Sequence, residues 1–437
     1  MSTQLLFVGD IHLGRQPDRL VDVGPATSAL APTEAWKRVV TYALDQKVRA
    51  VVLAGDVVDN ERDRFEAYGH LERGIQRLAQ ADIPVIAVAG NHDGIVLPRL
   101  AKSLGHSGFK LLGVGANWER IELGSDPPVD LLGWSFPSRH WKANPLHSPG
   151  LIESIAGRRP IAALLGVLHT DLGGGASPYA PVSVTELDQQ REVDGWFLGH
   201  IHKPGELHTA RPIGYLGSLV GLDRGETGAR GPWLVTVEGR GQVSAKQVSL
   251  GPVHWETADI DVTHMPEDPI AAEDFLRTCV QEHFVVMRRD RPELTETALR
   301  VVAVSIRFTG QPKTGQHVRE FIDSFIPANL CFAHGSQTWA AAKLTDGSRA
   351  PVDLQRLMSQ SDPLGIIAGV VHALENDLPV PPELAMLVTA QMAPFTTGDW
   401  SLDEEHWPVP SKNSLMVDAA RALLHKLLAQ QQAMAAS

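Results

Sequence analysis

Five short stretches of this 437-residue sequence set carboxylates, amides and imidazoles side by side. They are Gly9-Asp10-Ile11-His12, Gly55-Asp56-Val57-Val58-Asp59-Asn60, Gly90-Asn91-His92-Asp93, His169-Thr170-Asp171 and Gly199-His200-Ile201-His202. Oxygen and imidazole donors with no thiolate suit Mn²⁺ or another divalent ion of intermediate hardness better than a structural zinc. An aspartate and a histidine one residue apart can share a cation where the chain turns. Taken alone, such a pair is weak evidence and reads first as a capped loop with a surface histidine. The weight lies in the ensemble, drawn from eighteen histidines, more than packing explains.

Each stretch follows an apolar run of buried-strand type: Leu5 to Val8, Ala50 to Ala54, Ile83 to Ala89, Ile161 to Leu168 and Trp196 to Leu198. The chemistry therefore sits just past the carboxyl ends of strands, the edge where α/β sheets build their sites. Glycine precedes Asp10, Asp56, Asn91 and His200, as expected of a backbone that must turn sharply at a strand end. Apolar residues at three- and four-residue spacing predict helices over Thr33 to Gln46 and Arg64 to Ala81, a βαβ rhythm. After Pro204 the pattern changes to short strands, Ile213 to Gly217, Trp233 to Glu238 and Val243 to Leu250, which complete a two-sheet core. Beyond Pro252 a β-α-β-α order is predicted: Thr257 to Val262, Ala271 to Phe284, Leu299 to Phe308 and Gln316 to Phe325. A polar stretch from Leu344 to Pro351 leads to a helical tail, with Asp362 as N-cap and Pro363 at N1 of one helix to Glu375, and a last helix from Ser414 to Gln430. The expected division is 1–251, 252–348 and 349–437.

Composition narrows the classes. A hydrophobic share of 43% and a charged share of 21% are those of an ordinary globular chain. Two cysteines, Cys279 and Cys331, form no disulfide framework and suit a reducing compartment, with the cytoplasm as default. The start of the chain shows no signal-peptide pattern, and no apolar stretch is long enough for a membrane span. A net charge of −12 argues against holding nucleic acid by a broadly basic surface, so local patches, metal ions or a partner would have to serve. The cluster Arg288-Arg289-Asp290-Arg291 is a candidate phosphate contact or a solvated helix end; no other DNA-binding residue stands out.

The motif ensemble resembles the calcineurin-like metallophosphoesterase superfamily over residues 5 to 203. The resemblance implies a two-sheet α/β sandwich flanked by helices, with a small α+β capping domain and a helical C-terminal tail. It implies that Asp10, His12 and His202 hold one metal and that Asn91, His169 and His200 hold another, with Asp56 bridging both. Two divalent ions, most suitably Mn²⁺, would share a hydroxide and clamp the attacking and leaving oxygens of a phosphoryl displacement. His92 would then donate to the phosphate or leaving oxygen, with Asp59 as the partner that orients and charges it. The plain alternative for Asp59 is an N-cap before Glu61 to Phe65.

Within the superfamily the sequence looks like the SbcD-type nuclease subunits, in particular their YhaO-like branch. The carriers are the block from Val193 to His202, Leu168-His169-Thr170 with Tyr179-Ala180-Pro181, and Tyr215-Leu216-Gly217-Ser218 with Glu226, Gly228 and Gly231. Leu216 and Gly195-Trp196-Phe197 depart from the family pattern without touching a ligand. The resemblance implies a DNA exonuclease partnered by an SMC-like coiled-coil ATPase, with a homodimer possible and no membrane association. The stripe Ile366, Ile367, Val370, Val371 and Leu374, or the stripe Leu415, Met416, Ala419, Leu423, Leu427 and Leu428, would dock that ATPase. Residues 349 to 437, with five basic and ten acidic side chains, would not bind DNA unaided. Two other classes remain: a phosphodiesterase of small or cyclic nucleotides, and a scaffold without catalysis.

Overall fold

The computed structural model describes residues 2–17, 20, 24–60, 64–104, 108–173, 177–295, 298–349, 351–376, 378–380 and 412–436. Its strands, in chain order, are β1 Thr3–Val8, β2 Ala50–Ala54, β3 Val85–Val88, β4 Phe109–Leu111, β5 Glu119–Leu123, β6 Val129–Trp134, β7 Ala163–His169, β8 Gly195–Gly199, β9 Ile213–Tyr215, β10 Trp233–Gly239, β11 Gln242–Gln247, β12 Val253–Asp261, β13 Val301–Thr309, β14 Cys331–His334 and β15 Gln337–Asp346. By chain contacts the molecule divides into two compact units, Met1–Ile260 with Pro269–Phe308 and Val318–Asp346, and Asp261–Asp268 with Thr309–His317 and Gly347–Ser437.

In the first unit, one sheet runs β11-β10-β1-β2-β3-β4 and a second runs β5-β6-β7-β8-β9. Strands β1 to β4 are mutually parallel, as are β6 to β9. Alternation along each strand explains the sandwich. Leu5 and Phe7 of β1 and Val52 of β2 face Leu165, Val167 and Phe197 of the second sheet. Leu6, Val8, Val51 and Leu53 face the other way, onto Trp36, Val39, Leu71 and Ile75 of the helices Pro32–Gln46 and Arg64–Ala79. Both faces of these strands are buried, which is why they read as continuous apolar runs.

The predicted runs correspond to β1, β2, β3, β7 and β8, and the later strands divide between the sheets, β10 and β11 in the first and β9 in the second. Sequence reading misses β4, β5 and β6. Strand β6 is buried throughout yet carries Asp130, whose carboxylate is paired with Arg120 at 2.8 Å and Arg159 at 2.6 Å. An ion pair supplied from elsewhere in the chain hides a core strand from any apolar pattern.

A third sheet runs β12-β13-β15-β14, flanked by the helices Pro269–Asp290 and Gly315–Asp323. Strands β14 and β15 were absent from the predicted β-α-β-α order. Val253, Trp255, Val301, Ala303 and Ala340 belong to the same apolar core as Trp36 and Val39.

In the second unit Asp362 caps the helix Pro363–Glu375, accepting from the Gly365 N–H at 2.9 Å. The last helix, Lys412–Ala436, packs on it: Leu424, Leu427 and Leu428 meet Ile367, Ala368 and Val371. Much of the two predicted stripes is therefore mutual packing. Ile366 and Leu423 stay exposed, and the Leu415 side chain lies outside the described residues. No described helix is long and apolar enough to cross a membrane.

Candidate metal centre

Strands β1, β2 and β3 of one sheet and β7 and β8 of the other deliver their carboxyl ends to one edge of the sandwich. Every site residue expected from the sequence meets there. Donor atoms of Asp10, His12 and His202, of Asp10, Asp56 and His169, and of His12, Asp59 and His92 lie within 4.8 Å of one another in each trio. Asp56 Oδ2 stands between two imidazoles, 3.4 Å from His169 Nε2 and 3.9 Å from His12 Nε2. The Asn91 amide oxygen faces His169 Nε2 at 2.9 Å and His200 Nδ1 at 3.2 Å. Asp10, His12, Asp56, Asn91 and His169 are all buried.

The local backbone is strained in order to aim these groups. Asp10, His12, Asp56 and His200 have φ of 36°, 50°, 46° and 109°, a region L residues rarely occupy. The sharp turns expected of the preceding glycines are thus made largely by the site residues themselves. Most of those glycines serve close approach instead. A Cβ on Gly90 would lie 2.2 Å from Asp56 Oδ1, and one on Gly199 would lie 2.1 Å from the Ala54 carbonyl and 2.8 Å from His169 Nδ1.

Outer hydrogen bonds fix which ring nitrogen faces inward. His12 Nδ1 donates to Asp59 Oδ1 at 2.9 Å, His202 Nδ1 to Glu226 Oε1 at 2.6 Å and His169 Nδ1 to the Ala54 carbonyl at 3.0 Å. That sets the Nε2 atoms of His12 and His202 facing each other across 3.0 Å, an arrangement a shared cation satisfies. Burial lowers the pKa of His12 and His200 and pushes His169 down to about 4, which favours the neutral, ligating form of these rings. Asp10, on the other side, is raised by its burial. The donor set thus fits divalent cations, with Asp56 placed to touch two of them.

Asp59 departs from expectation. Its carboxylate reaches His12, whose hydrogen bond brings it down to about 2, whereas His92 Nδ1 donates to the Asp59 backbone carbonyl at 2.7 Å. His92 is held further by its own N–H on Asp56 Oδ1 at 2.9 Å, and its Nε2 is left for a ligand. The alternative N-cap role before Glu61 to Phe65 falls partly on residues 61–63, outside the described ones.

Sequence reasoning gave no role to two carboxylates that the fold places under the centre. Glu226 accepts from His202 Nδ1, from the Ser218 hydroxyl at 3.1 Å and from the Leu222 N–H at 2.9 Å. Asp93 accepts from the N–H groups of Gly90 and Val57, each at 2.7 Å, and of Val58 at 3.3 Å, tying the loop after β3 to the loop after β2. Burial and the nearby Asp56 push Asp93 up to about 7 against those donors. Its position directly after His92 was the available signal; Glu226, 24 residues from His202, stood in the block that carried the resemblance but with no role attached to it. In the basic cluster, Arg289 pairs with Asp290 at 2.6 Å and Arg291 with Glu256 at 2.8 Å.

Residues 3–204 match the family described as calcineurin-like phosphoesterase. The chain is 27% identical over 293 residues to the metallophosphoesterase YhaO of Bacillus subtilis, covering 60% of this chain and 64% of that protein. It is 36% identical over 95 residues to the DNA double-strand break repair protein Mre11 of Haloferax volcanii, covering 21% and 20%. The alignments therefore span less than two thirds of these relatives. Among solved structures, the protein TT1561 of Thermus thermophilus matches at 13% identity and a TM-score of 0.37, over 56% of this chain and 99% of that one.

Proposed function

From the calcineurin-like phosphoesterase domain that the chain carries over residues 3–204 we propose a divalent-metal-dependent phosphodiesterase that cleaves nucleic acid strands. The observation that supports it best is Asp56 Oδ2 set between His169 and His12, with a cluster of donors on either side. In this reading Asp10, His12 and His202 hold one cation, Asn91, His169 and His200 the other, and Asp56 both. Such a pair of ions, Mn²⁺ by donor type, supplies Lewis acidity and an activated water when bound. The chain's own residues do the rest. Asp59, Glu226 and the Ala54 carbonyl orient the ligating rings, and His92 presents Nε2 to the phosphate or its leaving oxygen, where a protonated ring neutralises developing charge.

We further propose DNA as the substrate, an SMC-like coiled-coil ATPase as partner and a cytoplasmic setting, with 1–251 as nuclease domain, 252–348 as cap and 349–437 as partner-binding region. Similarity to a protein named for double-strand break repair supports the substrate. Purified protein with Mn²⁺ should degrade duplex or single-stranded DNA as well as bis-nitrophenyl phosphate, and chelation should stop both. Turnover of the small diester with every DNA strand left intact would overturn the nuclease reading.

A further inference from the structure

A cleft of about 120 Å³ opens beside His92, walled by Asn60, Ile95, Val96 and Arg139. Among the described residues Arg139 has no hydrogen-bond or ion-pair partner, and it is exposed. That is unlike Arg120 on β5 and Arg158 and Arg159 ahead of β7: Arg120 and Arg159 pair with Asp130, and Arg158 with Glu192. Ile95, 48% exposed, sets an apolar side chain next to the group that would meet the scissile phosphate.

Arg139 sits on a short segment pinned at both ends. At one end the Phe136 N–H donates to the Ala89 carbonyl at 3.0 Å, one residue before the Gly90-Asn91-His92 turn, and the Phe136 ring packs edge-on against His169 at 5.7 Å. At the other, Trp141 and residues 178–180 exchange backbone hydrogen bonds, Trp141 N–H to the Pro178 carbonyl at 2.8 Å and Ala180 N–H to the Trp141 carbonyl at 2.6 Å. The Ser138 hydroxyl closes the interval onto the His140 carbonyl at 2.8 Å. Pinning both ends limits the backbone freedom lost when the Arg139 guanidinium binds an anion, and its planar fork can meet a phosphate with two parallel N–H···O bonds.

We propose that this cleft is the subsite for the nucleotide next to the scissile bond, an inference that rests on the nuclease reading. Arg139 takes the neighbouring phosphate of the strand, and the exposed Ile95 takes the sugar or base edge. A phosphodiester chain is the ligand that presents both features at once: a second anion one nucleotide away and an apolar body between. An isolated phosphate ester has no group for Arg139.

The test compares a DNA oligonucleotide with bis-nitrophenyl phosphate, which has no flanking phosphate, in wild type, Arg139→Ala, Arg139→Gln and Arg139→Lys. Metal content by elemental analysis verifies that each variant keeps its site. Arg139→Ala and Arg139→Gln should lose about ten- to a hundredfold in kcat/KM on the oligonucleotide, mostly as a higher KM. The loss on the small diester should be at least about tenfold smaller. Arg139→Lys should recover part of the difference. Binding of a labelled strand with a non-hydrolysable backbone should show a log–log salt slope shallower by about 0.7 to 1 in the alanine variant. Equal losses on both substrates, or an unchanged salt slope, would overturn the subsite. A wild-type protein that cleaves the small diester and no strand would instead overturn the nuclease reading, leaving a different signature from failure of Arg139 alone.

Discussion

Asp56 and His92 are adjacent in space, joined by a 2.9 Å hydrogen bond, yet their substitution should affect metal content differently. Asp56→Asn preserves shape but removes the charge that sits between two donor clusters, so metal measured by elemental analysis should fall together with turnover. His92→Ala removes a group that the Asp59 carbonyl and Asp56 hold in place, and metal should stay while phosphodiester turnover drops by about 10² to 10⁴. The contrast has content because His92 also lies within 4.8 Å of donor atoms on His12 and Asp59. Should His92→Ala shed metal as readily as Asp56→Asn, His92 is a ligand and its assigned role is wrong. Glu226 acts one bond further out. Glu226→Gln keeps the size but weakens the acceptor of His202 Nδ1, and Mn²⁺ affinity by titration calorimetry should fall about 10- to 100-fold. An unchanged affinity would mean that His202 is oriented by its backbone alone.

The strand ends explain how a site can be assembled from residues spread along the chain from Asp10 to His202. Strands β1, β2, β3 and β8 each deliver two site groups just past their carboxyl ends and β7 delivers His169, and the crossovers return the chain to the same edge each time. The cost is contact between backbones. Strand β8 comes so close to β2 that a Cβ on Gly199 would stand 2.1 Å from the Ala54 carbonyl. Gly199→Ala should therefore destabilise the metal-free protein by about 1–3 kcal/mol or more, a fall in Tm of several degrees by calorimetry. An unaltered Tm would show that the two sheets do not approach at this point. The loops after β2 and β3 are held otherwise, by Asp93 accepting N–H groups from both, which a length-preserving loop pattern could never announce.

At the scale of the whole molecule, all the proposed ligands and their outer partners lie between Asp10 and Glu226, while the helices Pro363–Glu375 and Lys412–Ala436 share a small core of their own. Deleting residues 352–437 should leave Mn²⁺ content and bis-nitrophenyl phosphate hydrolysis intact and abolish capture of a coiled-coil ATPase; loss of metal in the truncated protein would end that division. Much of the site was legible in the sequence because its signal is local: an apolar run, then Asp10 and His12, or His200 and His202, within a few residues. Strand ends and residue types are written side by side. What the sequence alone could not decide depends on groups far apart along the chain. Strand β6 is a core strand because Arg120 and Arg159 neutralise Asp130, and the Asp59 carboxylate serves His12, leaving only its backbone carbonyl to His92, because β1 and β2 run side by side and bring the first pair together. The direction in which His12, His169 and His202 point was decided the same way, by an acceptor from a distant part of the chain, Asp59, the Ala54 carbonyl or Glu226, which fixes the ring nitrogen that faces outward.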